Sequence, residues 1–226
     1  MARLGRIYRT SIGSKAVVAV TGVLLFLFLI GHLSGNLLLF KGPDAINSYA
    51  AFLHSKPAMV WGARIGLFLL LLIHVWTTAK LTLENSAARP VGYQHEATVK
   101  ATVASRYMIH TGILVGAFVL FHVLHFTVRT IDTGGMGLVD AEGRMDVYSM
   151  VVAGFSNWVV ALSYVAAMVV LGFHLYHAVK SFFQTMGWRH PTSDRIVNVV
   201  APALAILIAA GNCLIPLSIL FDVRPQ

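Results

Sequence analysis

The stretch AVVAVTGVLLFLFLIGHLSGNLLLF, Ala16 to Phe40, decides the fold. It contains no Asp, Glu, Lys or Arg, and it exceeds the ~20 residues a helix needs to cross about 30 Å of hydrocarbon. Basic residues precede it (Arg3, Arg6, Arg9, Lys15), as they precede a secretory leader. It is too long for a leader's apolar region, and no A-x-A-like cleavage site closes it, so it is expected to stay in the mature chain. Four more charge-free runs follow: Ile65–Ala79, Tyr107–Val128, Val147–Val179 and Ile196–Phe221. The second run is short, but Pro57–Ala63 extends it through Arg64, whose long side chain can snorkel to the interface. The expected fold is therefore all-α: one integral membrane bundle of five transmembrane helices, near 15–40, 58–82, 105–130, 147–186 and 194–221.

Composition agrees. Of 226 residues, 57% are hydrophobic and 12% charged, where a soluble domain carries about a quarter charged. The +8 net charge suggests nucleic acid until it is placed on the topology. With the N-terminus inside, Arg3, Arg6, Arg9, Lys15, Lys80, Arg89, Lys100, Arg106, Lys180, Arg189 and Arg195 lie inside. Lys41, Lys56, Arg64, Arg129, Arg144 and Arg224 lie outside. Eleven against six obeys the positive-inside rule, and no nucleic-acid partner is implied. The basic inner face is suited to lipid headgroups or a partner protein. The N-terminus is expected in the cytoplasm and the C-terminus outside. Between the spans, Lys41–Lys56 reads as an outer loop turning at Gly42-Pro-Asp44. Leu81–Ser105 reads as an inner connection broken at Pro90, and Thr130–Asp146, with Gly134, Gly135 and Gly137, as irregular. The single cysteine, Cys213, excludes an internal disulfide, a C-x-x-C-H haem attachment and a thiolate cluster.

The chemistry lies in the histidines, ten in all. His32 is 17 residues after Lys15 and His122 is 16 after Arg106, both on outward-running helices. His74 is 6 residues before Lys80 and His174 is 6 before Lys180, both on inward-running helices. Two imidazoles thus share an outer level and two an inner one, about 16 Å apart at 1.5 Å per residue. Low-spin haem takes two nitrogen ligands from opposite sides of its ring, and facing helices of a bundle supply them. Two b haems are expected, held without covalent bonds.

His125 and His177 each follow a candidate ligand by three residues, on the same helix face. That spacing also suits zinc or di-iron, but no carboxylate or cysteine lies nearby in the spans. They are expected to bond haem propionates (His125) or a quinone (His177), although depth alone does not choose the ligand within each H-x-x-H. Lys15, Arg106 and His110 are candidate propionate partners inside, Arg64 outside. Small residues near the ligands (Gly31, Ser34, Gly35, Gly112, Gly116, Gly172) give a flat macrocycle room, or simply let helices pack.

Several motifs together carry a resemblance: Ser11-Ile-Gly-Ser-Lys15, Val20-Thr-Gly22, Gly31-His-Leu-Ser-Gly-Asn-Leu-Leu-Leu-Phe40 and Arg106-Tyr-Met-Ile-His-Thr-Gly112. To these add Phe121-His-Val-Leu-His-Phe126 and Gly172-Phe-His-Leu-Tyr-His177, continuing to Ser181-Phe-Phe-Gln-Thr-Met-Gly-Trp188. Over nearly its whole length the chain resembles the single-subunit, two-haem cytochrome b anchors of succinate dehydrogenases and fumarate reductases. The resemblance implies His74 and His174 as axial ligands of the inner (proximal) haem, and His32 and His122 of the outer (distal) one. It implies an FAD flavoprotein and an iron–sulfur subunit on the cytoplasmic face of the inner membrane, and it allows a higher oligomer of the complex. It also implies menaquinone as the electron partner within a respiratory chain. This chain lacks a dinucleotide-binding glycine motif and a cysteine cluster, so succinate is not oxidised on it. Some relatives carry a glutamate two residues before the inner ligand of the fourth helix. Here that residue is Gly172, and quinone protons are expected to come from an interface. Asn47, His54 and Lys56 outside, and His177 and Trp188 inside, are the candidate quinone contacts. Two other classes remain: a two-haem anchor of a hydrogenase, formate dehydrogenase or ascorbate-reducible type, and a histidine-lined metal transporter.

Overall fold

Helix α1 (Ser11–Asn36) begins where the Thr10 side chain accepts the Gly13 N–H at 3.0 Å, satisfying a donor the first turn leaves open. In this computed structural model, which describes residues 8, 10–88, 103–131 and 137–223, α1 passes through a short 3₁₀ turn (Leu37–Lys41) into α2 (Pro43–His54). Then follow α3 (Pro57–Ala87), the single turn α4 (Val103–Arg106), α5 (Met108–His122), α6 (Val147–Ser156), α7 (Trp158–Thr185) and α8 (Pro191–Leu220). Arg3, Arg6, Arg9, Arg89, Pro90, Lys100, Asp132, Gly134, Gly135 and Arg224 lie outside the described residues. Five segments are long and apolar enough to cross a membrane: Ser11–Lys41, Pro57–Ala87, Met108–Thr127, Trp158–Thr185 and Pro191–Leu220. The fold is an all-α membrane bundle. Lipid takes the place of water around it, so large apolar side chains face outward, Phe68, Trp76, Ile113 and Leu207 among them.

Four expectations change. Residues 43–54 form a helix rather than a loop, because Gly42 takes φ +96° and turns the chain. Pro43 then fills the first helical position and Asp44 the first turn, where a fixed φ and a negative charge both favour helix. The run 147–186 is two helices. Asn157 leaves the helical conformation, and its side chain accepts the N–H groups of Val159 and Val160, starting α7 afresh. The third span ends in a π-helical turn, Val123–Thr127, closed by Arg129 at φ +60°. The second helix also runs to Ala87, beyond the expected boundary.

Consecutive spans are antiparallel: Ser14 meets Lys80 and Thr21 meets His74, while Thr111 meets His174 and His122 meets Tyr164. The end of the bundle that holds Ser11 is called the near end, its opposite the far end. α7 and α8 form the closest pair. Small residues let their backbones approach: Ala161, Ala201 and Ala205 are buried, and a Cβ on Gly172 would stand 3.2 Å from that of Ala209. α3 packs on α1, and α5 on α7, but α3 makes no comparable contact with α5 or α7 among the described residues. Nor does α1 with α5. The first four spans are thus two helix pairs joined where α1 packs on α7, Leu33 sharing a buried cluster with Met168 and Leu171, with α8 behind both.

At the far end one polar knot ties α2 to the 137–146 connection. Asn47, 1% exposed, donates through Nδ2 to Asp140 Oδ2 (3.2 Å) and Asp146 Oδ1 (3.1 Å) and accepts the Tyr148 N–H (3.0 Å). Arg144 donates to Asp140 (2.7 Å), Asp44 (2.9 Å), Ser48 (2.6 Å) and Glu142 (3.0 Å). Desolvation pushes the Asp140 and Asp146 carboxyls up. Hydrogen bonds outweigh it, from Arg144 and Asn47 for Asp140 and from Ser149 and Asn47 for Asp146, so both sit below the usual carboxylate range. A lowered folded-state value means stability that is complete above the unfolded value of about 3.9 and lost as pH falls through the folded one. Thermal melting of the solubilised protein is therefore expected to be flat from about pH 7 to about pH 5 and to fall below about pH 4. A melting temperature that rises on acidification would contradict the knot.

Candidate functional site

The two helix pairs face each other through histidines. His32 of α1 and His122 of α5 place their ring centroids 5.7 Å apart with planes at 81°. Metal–nitrogen bonds of about 2 Å set two ligating nitrogens roughly 4 Å apart, a separation that rings at this spacing approach. Nearer Ser11, His74 of α3 and His174 of α7 each meet a threonine of the helix packed against their own. Each pair joins one helix of the α1–α3 pair to one of the α5–α7 pair. All four imidazoles are half-buried.

The near-end histidines have matching supports. Thr21 Oγ1 lies 3.0 Å from His74 Nδ1, and Thr111 Oγ1 lies 3.3 Å from His174 Nδ1. The glycine after each threonine makes room for the same ring. A Cβ on Gly22 would stand 3.3 Å from His74 Cε1, and one on Gly112 would stand 3.4 Å from His174 Cε1. Of the other small residues, Gly35 admits the Tyr49 ring, which a Cβ would meet at 2.8 Å, and Gly172 serves α7–α8 packing. Gly31 and Gly116 have nothing within 4 Å of a Cβ position. Ser34 donates to the Ile30 carbonyl at 2.8 Å.

At the far end, Tyr164 supplies the polar support. Its hydroxyl is 3.3 Å from His122 Nδ1 and 2.9 Å from His125 Nδ1. His125 is buried, 3% exposed, in the π-helical turn and stacks on Phe126 with ring centroids 3.9 Å apart. His122 and His125 share the Tyr164 hydroxyl, so the three-residue spacing keeps both on one side of the span. Tyr164 was not legible as a site residue, since a tyrosine in an apolar helix carries no mark of which neighbour it meets.

The other expected residues are scattered. His177 is half-buried one turn beyond His174, and Lys180 next to it donates to Tyr176 at 2.7 Å. Lys15, Arg106 and His110 are exposed at the near end, His110 beside the Tyr107 ring. Arg64 is exposed with its guanidinium 5.2 Å from the Trp61 ring centroid. His54 turns back to the Ala50 carbonyl at 2.8 Å and, like Lys56, is exposed. Trp188 packs edge-on against Phe182 and Phe183. Asn47 is corrected outright: both its donor hydrogens serve Asp140 and Asp146, leaving none for a quinone oxygen. Lys80, unmarked as a site residue in the sequence, donates to Ser14 (2.8 Å) and the Tyr8 carbonyl (3.2 Å), tying the chain start to α3.

Among the described residues no three His, Cys, Asp or Glu groups gather as a bare metal ion requires. Twos are what a macrocycle needs, because it brings its own four equatorial nitrogens and lacks only axial ones. The donor set and the glycines against the near-end rings fit haem b, with His32 and His122 on one and His74 and His174 on the other. Searches against family models, curated proteins and solved structures find no match for this chain.

Proposed function

We propose that the chain is the membrane cytochrome b subunit of a succinate:quinone oxidoreductase. It anchors a flavoprotein and an iron–sulfur subunit at its near, cytoplasmic end in the cell's inner membrane. The observation that supports this reading is the arrangement of four histidines on four different helices, two at each level, with no group of three metal-binding side chains among the described residues. Bound haems b supply one-electron redox steps, linking the iron–sulfur subunit to a quinone such as menaquinone. The protein's part is geometric and electrostatic. His74 and His174 hold the near-end group, His32 and His122 the far-end one. Lipid-facing helices keep water away from both. The exposed cations of the near end, Lys15 and Arg106, meet propionates or the partner subunits' acidic surface. His177 stands where a quinone oxygen reaching the near-end pair would find a hydrogen-bonding group.

The deciding measurement is a dithionite-reduced minus oxidised spectrum of the solubilised chain, with a pyridine haemochrome assay. Two haems b per chain are expected. A chain without haem overturns the reading. Succinate-driven reduction of those haems in native membranes then tests the partners, and haems that only formate or hydrogen reduces would move the chain to another quinone-linked complex.

A further inference from the structure

The near-end threonines are matched in a way that the histidines alone do not require. Thr21 Oγ1 lies 2.8 Å from the Val17 carbonyl and 3.1 Å from that of Val18; Thr111 Oγ1 lies 2.9 Å from the Met108 carbonyl. Carbonyl oxygens only accept, and a hydroxyl has one proton, so each threonine spends its proton on its own helix. What it offers the imidazole is an oxygen lone pair. Nδ1 of His74 and of His174 must therefore be the protonated nitrogen, and the lone pair of each ring stays on Nε2. Thr21 is buried at 6% exposure, so water does not compete for that bond.

We infer that Thr21 and Thr111 are the positioning residues of the near-end haem. Each fixes one axial histidine in the Nε2-ligating tautomer and in ring orientation, while Gly22 and Gly112 clear the ring's edge. The inference rests on the two-haem reading above. Both near-end histidines meet a threonine oxygen. The far-end centre differs: His122 shares the Tyr164 hydroxyl with His125. An acceptor on Nδ1–H raises imidazole basicity, and loss of such a partner costs a metal site roughly 10–100-fold in affinity. A more basic axial ligand favours ferric iron, so removing the acceptor raises the midpoint potential.

The test uses the full-length chain as wild type, Thr21→Val, Thr111→Val, the double variant, and Thr21→Ser and Thr111→Ser. Valine keeps the shape and drops the hydroxyl; serine keeps the hydroxyl. Haem content, redox titration and low-temperature EPR of the ferric haems are read together. Expected is a change in one haem only in each valine variant. Its affinity falls about 10–100-fold or its midpoint rises, its EPR signal shifts, and serine restores it. Two unchanged haems in the double valine variant, both haems changed equally, or no rescue by serine would overturn the assignment. A valine variant that fails to fold leaves the serine pair to decide: serine variants with an altered near-end signal and wild-type stability also overturn it. A wild type without haem overturns the functional reading and this inference together, whereas two wild-type haems with silent threonines overturn the inference alone.

Discussion

If the chain binds two haems as proposed, alanine at His74 or His174 is expected to remove the near-end haem and leave the other, and alanine at His32 or His122 to do the reverse. Haem content falls from two to one per chain in every case. The effect is all-or-none because each centre has just two protein ligands, on helices that do not otherwise touch closely. Losing one leaves a single imidazole to hold the group. Double variants separate the pairs: His32→Ala with His122→Ala keeps one haem, because the two act as a unit, whereas His32→Ala with His174→Ala keeps none. His125→Ala and His177→Ala keep both haems, which fixes the ligand as the first member of each H-x-x-H. A full complement in His122→Ala with loss in His125→Ala would reverse that order at the far end.

The second large effect is at Asn47. Asn47→Ala takes away three hydrogen bonds at once from a buried amide, and breaking such a network destabilises by about 2–4 kcal/mol. The expected result is a melting temperature several degrees lower with both haems retained. Asn47→Asp separates the knot from mere packing. It keeps the size but sets a third carboxylate between Asp140 and Asp146, so it is expected to melt as early as the alanine variant at neutral pH and to recover on mild acidification. A normal melting curve for Asn47→Ala, with quinone reduction abolished, would return Asn47 to the quinone contacts from which its geometry removes it.

The five spans were legible because lipid rewards uninterrupted apolar runs. The matched depths of the histidine pairs were legible because charged residues mark the membrane's edges and a helix rises by a constant amount. Pro43 and Asp44 carried the start of α2, but the same residues also open turns, and only the sequel in space decides. Asn157 sat within an apolar run whose hydropathy hides a change of direction. Which side of a helix meets which neighbour was not legible. Thr21 and Thr111 stood inside quoted motifs, yet their bonds depend on the rotation of α1 about α3 and of α5 about α7. The same limit concealed Tyr164, and it concealed that Asn47 is already spent.

The crossed pairing of helices also has a temporal side. A chain synthesised from its N-terminus inserts α1 and α3 first, carrying His32 and His74, which belong to different centres. Neither acquires its partner until a later helix arrives: His122 with α5, then His174 with α7. No early hairpin therefore holds both histidines of either pair. The far-end pair is complete one span before the near-end pair, and under the proposed function the far centre is expected to load first.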